Sequence, residues 1–190
     1  MSRRIPKGKK FNPVYFFFCE GETEEAYIKY LRTTYRLPVE IFSKIAGNSI
    51  TDRYIADYKK HKPFFDKDKT FLIYDFDVEP VVQKLKQLKA VHLLLSNPCF
   101  ELWYLLHCQT QTASITSDEC VRKLNNHIPH YRKGAIDEKL KSKMVENKNK
   151  SMARAKDLPE FCNPSTDIYR LIEEFDAIKN KKTPLKIPNS

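Results

Sequence analysis

The stretch VYFFFCEG at residues 14–21 decides the fold that the sequence predicts. Its apolar run continues without a polar residue up to Cys19, which is typical of a strand covered on both faces. Glu20 and Gly21 then end the strand, and Thr23 is a candidate cap for a following helix. The next apolar residues recur at helical spacing: Ala26, Tyr27, Tyr30 and Leu31. The stretch therefore predicts a strand followed directly by a helix.

The same alternation continues through the first half of the chain. Further strands are predicted at residues 39–45, 70–77 and 91–95, and further helices at residues 51–60, 81–89 and 99–108. Strands that alternate with helices imply βαβ crossovers. We therefore predict an α/β fold with a doubly wound, mostly parallel, four-stranded sheet and flanking helices.

The second half of the chain is more polar and shows little strand pattern. Helices are predicted at residues 118–126 and 167–178, the second with Ser165 and Thr166 as cap candidates. The chain is thus expected to have four parts: a basic, disordered tail (1–12), an α/β core (13–110), a basic, mainly helical lobe packed on the core (111–178) and a frayed tail (179–190).

The composition favours a polyanionic partner in a reducing compartment. The 190 residues include 34 Lys or Arg against 24 Asp or Glu, and the sequence pI is about 9.3. Nucleic acid fits this charge, although a lysine-rich soluble surface would give the same balance. The five cysteines form no C-x-x-C pair, which argues against a disulfide framework or a zinc ribbon. No apolar run approaches the roughly 20 residues that span a bilayer, so we expect a cytoplasmic protein.

Acidic residues follow two of the predicted strands. Glu20 ends the first, and Asp75 and Asp77 end the third. Ligands of open α/β sheets gather outside the carboxyl ends of the strands, so these acids should converge. Residues two apart on a strand project to the same face, where two carboxylates can surround one cation. Hard oxygen ligands without cysteine or well-spaced histidine favour Mg²⁺ or Mn²⁺.

Two further acids are weaker candidates. Glu24 and Glu101 both fall in the first turn of a predicted helix. A carboxylate there balances the helix dipole, so an ordinary capping role competes with a metal-binding role.

A basic segment between residues 122 and 156 is the second functional feature. It begins with Arg122 and Lys123 and contains the sequence YRKG at 131–134. Arg132 and Lys133 are candidates to hold a phosphate or a developing negative charge. For residues 139–150 a solvated, mobile, lysine-rich segment is the favoured interpretation. A metal cluster beside such a surface fits phosphodiester hydrolysis, in which two cations would clamp the attacking and leaving oxygens.

Five motifs together resemble the RloB family: CEGETEEAY at 19–27, DFD at 75–77, SNPCFELWYLLH at 96–107, YRKG at 131–134 and NPSTDIYRLIEE at 163–174. The resemblance covers nearly the whole chain between residues 16 and 174. That family looks like a branch of the Toprim superfamily, the metal-dependent fold of topoisomerases, primases and OLD nucleases. It implies a Toprim-like, Mg²⁺-dependent nuclease acting on DNA or RNA, in anti-phage defence or abortive infection, with a partner ATPase.

The resemblance also implies residue roles. Glu20 matches the Toprim glutamate, Asp75 and Asp77 match its D-x-D pair, and Glu24 matches the additional acid of OLD-like nucleases. Glu101 and Lys133 match RloB-type motifs, which implies a further metal ligand and a phosphate or transition-state contact. The chain departs from the Toprim pattern at Glu79, where a third aspartate is expected, and this puts a second metal position in question.

Two other interpretations stay open. The chain could be a binding module with a degenerate metal site that recognises nucleic acid or an ATPase without catalysis. Alternatively, the acids could be ordinary cap and surface residues, with the basic lobe aiding solubility.

Overall fold

The computed structural model describes residues 12–62, 67–76 and 79–182, which form one five-stranded sheet. The strands are β1 (Val14–Cys19), β2 (Glu40–Ile45), β3 (Lys69–Asp75), β4 (His92–Asn97) and β5 (Ser165–Thr166). Their order is β2-β1-β3-β4-β5, and all neighbours are parallel except β5, which is antiparallel to β4. The α/β class and the mostly parallel sheet are confirmed. The predicted number of four strands is wrong.

The additional strand, β5, is too short to leave an alternating pattern in the sequence. It pairs with the edge of β4, where the hydroxyl oxygens of Ser96 and Thr166 are 2.8 Å apart. The two predicted cap candidates therefore extend the sheet instead. Thr166 also accepts a long hydrogen bond, 3.5 Å, from the Ile168 N–H.

Eight α-helices lie in the described part of the chain. They are α1 (Glu22–Tyr35), α2 (Asp52–Lys59), α3 (Glu79–Lys86), α4 (Glu101–Cys108), α5 (Ser117–His127), α6 (Glu138–Glu146), α7 (Lys148–Lys156) and α8 (Ile168–Lys182). Within the same residues, no helix combines the length and apolar character that crossing a bilayer requires.

Two segments of the second half contain helix that the sequence patterns did not specify. The segment 139–150 forms most of α6 and the start of α7, and all of its side chains except Leu140 and Met144 are at least partly exposed. Leu140 and Met144 are buried, and the Asp137 carboxylate caps α6 by accepting a hydrogen bond from the Leu140 N–H. Helix α8 continues to Lys182, so the predicted frayed tail begins with helical residues.

Strand β1 lies inside the sheet, between β2 and β3, and is buried throughout. Its alternate residues Tyr15, Phe17 and Cys19 join one apolar cluster, and Val14, Phe16 and Phe18 join a second. The Phe17 ring stacks on Phe71 with centroids 4.9 Å apart. Each buried phenylalanine stabilises the fold by about 1.5–3 kcal/mol relative to an exposed one. Burial on both faces explains why the stretch carries no polar residue.

The first apolar cluster also contains residues of α4 to α8, among them Leu124 of α5, Met144 of α6 and Phe175 of α8. The C-terminal helices therefore share a core with one face of the sheet. The division of the chain at residue 110 stays a prediction.

His107 lies in this core, at the end of α4, with 2% of its surface exposed. Its Nδ1 is 2.8 Å from the Trp103 carbonyl oxygen, and its Nε2 is 3.0 Å from the Ser151 hydroxyl. A carbonyl can only accept, so Nδ1 carries the proton of the neutral ring. Burial, together with the charge of Arg154, lowers the pKa of His107 to about 4, and its hydrogen bond to Trp103 opposes the shift.

This burial predicts a pH-dependent loss of stability. The unfolded chain takes up a proton at His107 below about pH 6.5, whereas the folded protein does so only near pH 4. The contribution of His107 to the free energy of unfolding should therefore fall by about 3 kcal/mol as the pH drops across this window. Urea unfolding monitored by the fluorescence of the buried Trp103 measures it. The difference in the free energy of unfolding between the unsubstituted protein and His107→Gln should change by about this amount across the window, and an identical pH dependence of the two proteins would contradict the assignment.

Candidate metal centre

Five acidic residues meet at the carboxyl edge of the sheet. Strands β1 and β3 are neighbours and run in parallel, so Glu20 after β1 lies beside Asp75 at the end of β3. Helices α1 and α4 add their first turns. Together they line one cavity of about 310 Å³, whose residues are Glu20, Gly21, Glu22, Thr23, Glu24, Asp75, Glu101 and Lys133.

Glu20 and Asp75 are directly joined. The Glu20 N–H donates to the Ile73 carbonyl at 3.0 Å, which continues the pairing of β1 with β3. The Glu20 Oε2 accepts a hydrogen bond of 2.8 Å from the Asp75 N–H. The two carboxylates are therefore held at the same point of the sheet by backbone geometry.

Asp75 carries the strongest electrostatic signal of the pocket. Its Oδ1 is buried and has no hydrogen-bond partner among the described residues. Burial raises the pKa of Asp75 to about 9, and the negative charges of Glu24 and Glu20 add to the shift. A carboxyl group with one buried oxygen that no described residue bonds, and with other acids nearby, is costly to ionise. A bound cation would remove that cost.

Glu24 has two roles in the structure. It is 5% exposed, and its Oε2 accepts a hydrogen bond of 3.0 Å from the Gly21 N–H at the start of α1. Burial raises the pKa of Glu24 to about 7 despite this hydrogen bond. Glu24 therefore caps the start of α1, as the helix-capping interpretation predicts, and it also lines the carboxylate cavity.

Glu101 is fixed by residues from two other segments. It is 2% exposed, and its Oε1 accepts hydrogen bonds from the Thr23 hydroxyl at 3.2 Å and the Tyr131 hydroxyl at 3.0 Å. Burial and the Glu101 charge raise the pKa of Tyr131, which keeps its hydroxyl protonated as a donor. The Glu101 Oε2 lies 4.0 Å from Lys133 Nζ. Glu101 in turn raises the pKa of Lys133.

The loop that carries Tyr131 and Lys133 is fastened to α1. The Gly134 N–H donates to the Thr23 hydroxyl at 3.2 Å, and Gly134 has a φ of +74°. A Cβ at this position would lie 3.0 Å from the Glu22 Cβ. The glycine therefore permits both the left-handed backbone and the close approach.

Gly134→Ala should lower the free energy of unfolding by about 1–2 kcal/mol through its left-handed backbone alone, with the contact to Glu22 adding to this. Gly47→Ala is the matched control, because Gly47 also has a positive φ, +49°, but its Cβ would meet nothing closer than 3.7 Å. Urea unfolding compares the two variants. Equal losses for both would contradict the tight approach of this loop to α1.

The structure brings together five of the predicted site residues: Glu20, Glu24, Asp75, Glu101 and Lys133. Asp77 lies outside the described residues. Arg122 and Lys123 lie on α5, where Lys123 Nζ donates to Gln111 Oε1 at 2.9 Å, and Arg132 is exposed beside Lys133. These three residues do not line the cavity.

Sequence patterns did not find the supporting residues of the site. Thr23 was predicted as a helix cap, but Gly21 is the N-cap of α1 and Thr23 bonds Glu101. Tyr131 belonged to a predicted phosphate-binding segment, and its hydroxyl instead holds a carboxylate. Sequence spacing gives no signal for either contact, because each joins segments far apart in the chain.

The chemistry of the donor groups fits a hard divalent cation. Among the described residues, acidic side chains line the cavity without cysteine or histidine, and one buried carboxylate oxygen has no hydrogen-bond partner. As placed, no three His, Cys, Asp or Glu side chains of residues 12–62, 67–76 and 79–182 lie close enough to share an ion. Side-chain rotation would have to bring the oxygens together around it.

Comparison with known proteins gives a family match over most of the chain. A family model described as RloB-like protein matches residues 15–175. No curated protein and no solved structure matches the chain.

Proposed function

We propose that this chain, which belongs to the RloB-like protein family, is a Mg²⁺- or Mn²⁺-dependent nuclease that hydrolyses phosphodiester bonds of DNA or RNA. The observation that carries the proposal is the carboxylate cavity at the carboxyl edge of β1 and β3, which Asp75 and Lys133 line. The buried Oδ1 of Asp75 has no hydrogen-bond partner within residues 12–62, 67–76 and 79–182. A Toprim-type arrangement of the sheet around these acids is part of the proposal.

Glu20 and Asp75 are the residues that would hold a first cation, and the sequence adds Asp77 to this set. Glu24 and Glu101 would hold a second. A bound divalent cation supplies an activated water and neutralises charge on the phosphate. The water would lose a proton to solvent as its oxygen bonds to phosphorus. The bond from phosphorus to the sugar oxygen would break, and the departing oxygen would take up a proton from solvent.

The protein's own groups orient the substrate around that chemistry. Lys133 Nζ, whose side chain is 65% exposed, can bind a non-bridging phosphate oxygen while it remains beside Glu101. Thr23 and Tyr131 hold the Oε1 of Glu101, which fixes the orientation of its carboxylate beside Lys133. Fixed charges of this kind stabilise a transition state without reorganisation.

A second candidate function is a non-catalytic module that binds nucleic acid or a partner ATPase. The absence, among the described residues, of three acids placed to share one ion favours it. This candidate predicts binding that is independent of metal and weakens as salt rises. A partner ATPase and a role in anti-phage defence belong to either proposal, and co-purification from cells would test the partner.

A cleavage assay separates the two candidates. Labelled DNA and RNA strands are incubated with the purified protein in Mg²⁺, in Mn²⁺ and in EDTA. The nuclease proposal expects shortened products with either metal and none in EDTA. Binding without cleavage in all three conditions, including with the partner ATPase present, would support the non-catalytic module instead.

A further inference from the structure

A pair of phenylalanines lies at the same edge of the sheet as the carboxylate cavity. Phe76 directly follows Asp75, and its ring centroid is 5.6 Å from that of Phe161, in the segment between α7 and β5. Phe161 is 53% exposed, and among the described residues only Ile45 and Val145 are other large hydrophobic side chains with comparable exposure. One face of the pair is therefore open to solvent.

A cation accompanies both rings. Lys86, the last residue of α3, places its Nζ 5.5 Å from the centroid of Phe76 and 5.5 Å from that of Phe161. Lys86 is itself exposed. Aromatic faces that stack bases, next to lysines that neutralise phosphates, are the combination by which proteins bind single-stranded nucleic acid.

The backbone of Phe161 supports a role other than packing. Its φ is +59°, in the left-handed region, which costs roughly 1–2 kcal/mol for a residue with a side chain. More than half of its surface nevertheless stays in solvent. Burial of the rest of the ring therefore offsets only part of the conformational cost of the left-handed backbone. The segment exposes an aromatic ring to solvent.

We propose that Phe76, Phe161 and Lys86 form a stacking site for an unpaired nucleobase of the strand whose phosphate enters the carboxylate cavity. This inference rests on the proposed function and names its substrate class, single-stranded or locally unpaired nucleic acid. Asp75 and Phe76 are consecutive, with Cα atoms about 3.8 Å apart, and their side chains lie on opposite faces of the sheet edge. A strand crossing this edge presents a phosphate to one residue and a base to the other.

The space beside the Phe76 ring admits a base. A cavity of about 370 Å³ opens next to Phe76 and is lined also by Asn97, Thr116 and Glu119, whereas Phe161 and Lys86 lie outside its lining. A duplex hides the faces of its bases, so only an unpaired or extruded base can stack here. The site therefore selects single strands over duplexes, whatever their sequence.

The test is a fluorescence anisotropy titration in EDTA, which prevents cleavage. The probes are a short fluorescein-labelled single strand, the same strand with abasic positions, and the matched duplex. Wild-type protein should prefer the intact single strand, and Phe161→Ala should weaken binding of that strand about 10-fold while leaving duplex binding unchanged. Phe161→Tyr keeps an aromatic face and should bind as wild type does. Val145→Ala removes a different exposed side chain and is the matched control.

The abasic strand provides a comparison within each protein, between two strands, so the result does not depend on how well the variant folds. With wild-type protein, an abasic position at the site should cost about 10-fold, and with Phe161→Ala the same change should cost nothing further. An unchanged Kd for Phe161→Ala, or equal wild-type affinity for single strand and duplex, would overturn the stacking site. Failure of the cleavage assay would remove the nuclease proposal and leave this titration valid.

Discussion

Asp75→Asn will lower the rate of Mg²⁺-dependent strand cleavage by about 10²- to 10³-fold, because it removes a charged ligand while it preserves the size of the side chain. The same substitution will stabilise the metal-free protein.

The Asp75 carboxyl group has a pKa of about 9 in the folded state, because of burial first and then of the charges of Glu24 and Glu20. In the unfolded chain its pKa is about 3.9. Its contribution to stability is therefore present at low pH and is lost as the pH rises toward 9.

At pH 7 this cost is roughly 2–4 kcal/mol, and asparagine, which cannot ionise, avoids it. Urea unfolding in EDTA measures the gain, and the cleavage assay measures the loss. A higher free energy of unfolding together with a lower cleavage rate is the result expected when a residue serves function and destabilises the fold. Asp75→Asn protein that cleaves normally, or that is less stable than wild type in EDTA, would contradict the assignment.

Lys133→Ala will lower kcat for cleavage by about 10²-fold while changing the Kd for the strand much less, because its Nζ lies at the rim of the carboxylate cavity beside Glu101. Arg132→Ala is the matched control. Arg132 is the adjacent exposed cation and does not line the cavity, so its loss should reduce the salt dependence of binding and leave kcat unchanged.

Single-turnover cleavage at saturating protein separates kcat from binding for both variants. Equal effects of the two substitutions on kcat would show that Lys133 acts only as part of a general basic surface. Lys133→Arg keeps the charge, and partial rescue by it would support a phosphate contact.

The first half of the fold could be predicted from the sequence because local patterns determine it. The uninterrupted apolar run at β1 requires burial on both faces, and the alternation with helices requires a mostly parallel sheet. Strand β5 could not be predicted, since its two residues pair with β4 about 70 residues away in the chain. Helices α6 and α7 were missed because their few buried positions are separated by many lysines.

The acids of the site could be predicted because local sequence patterns locate the ends of the strands that carry them. Glu20 and Asp75 end neighbouring strands, and the edge of a parallel sheet brings strand ends together. The groups that orient Glu101 were not predictable, because Thr23 and Tyr131 reach it from positions 78 and 30 residues away. Such contacts depend on the packing of α1 and α4, which periodicity does not specify.

Binding of a divalent cation by the carboxylates at the ends of β1 and β3 can be observed directly in a crystal structure of the protein grown or soaked with Mn²⁺, with anomalous diffraction to locate the metal. We expect a peak at about 2.0–2.3 Å from oxygens of both Glu20 and Asp75. A well-ordered cavity without a peak, at a Mn²⁺ concentration that supports cleavage, would contradict it.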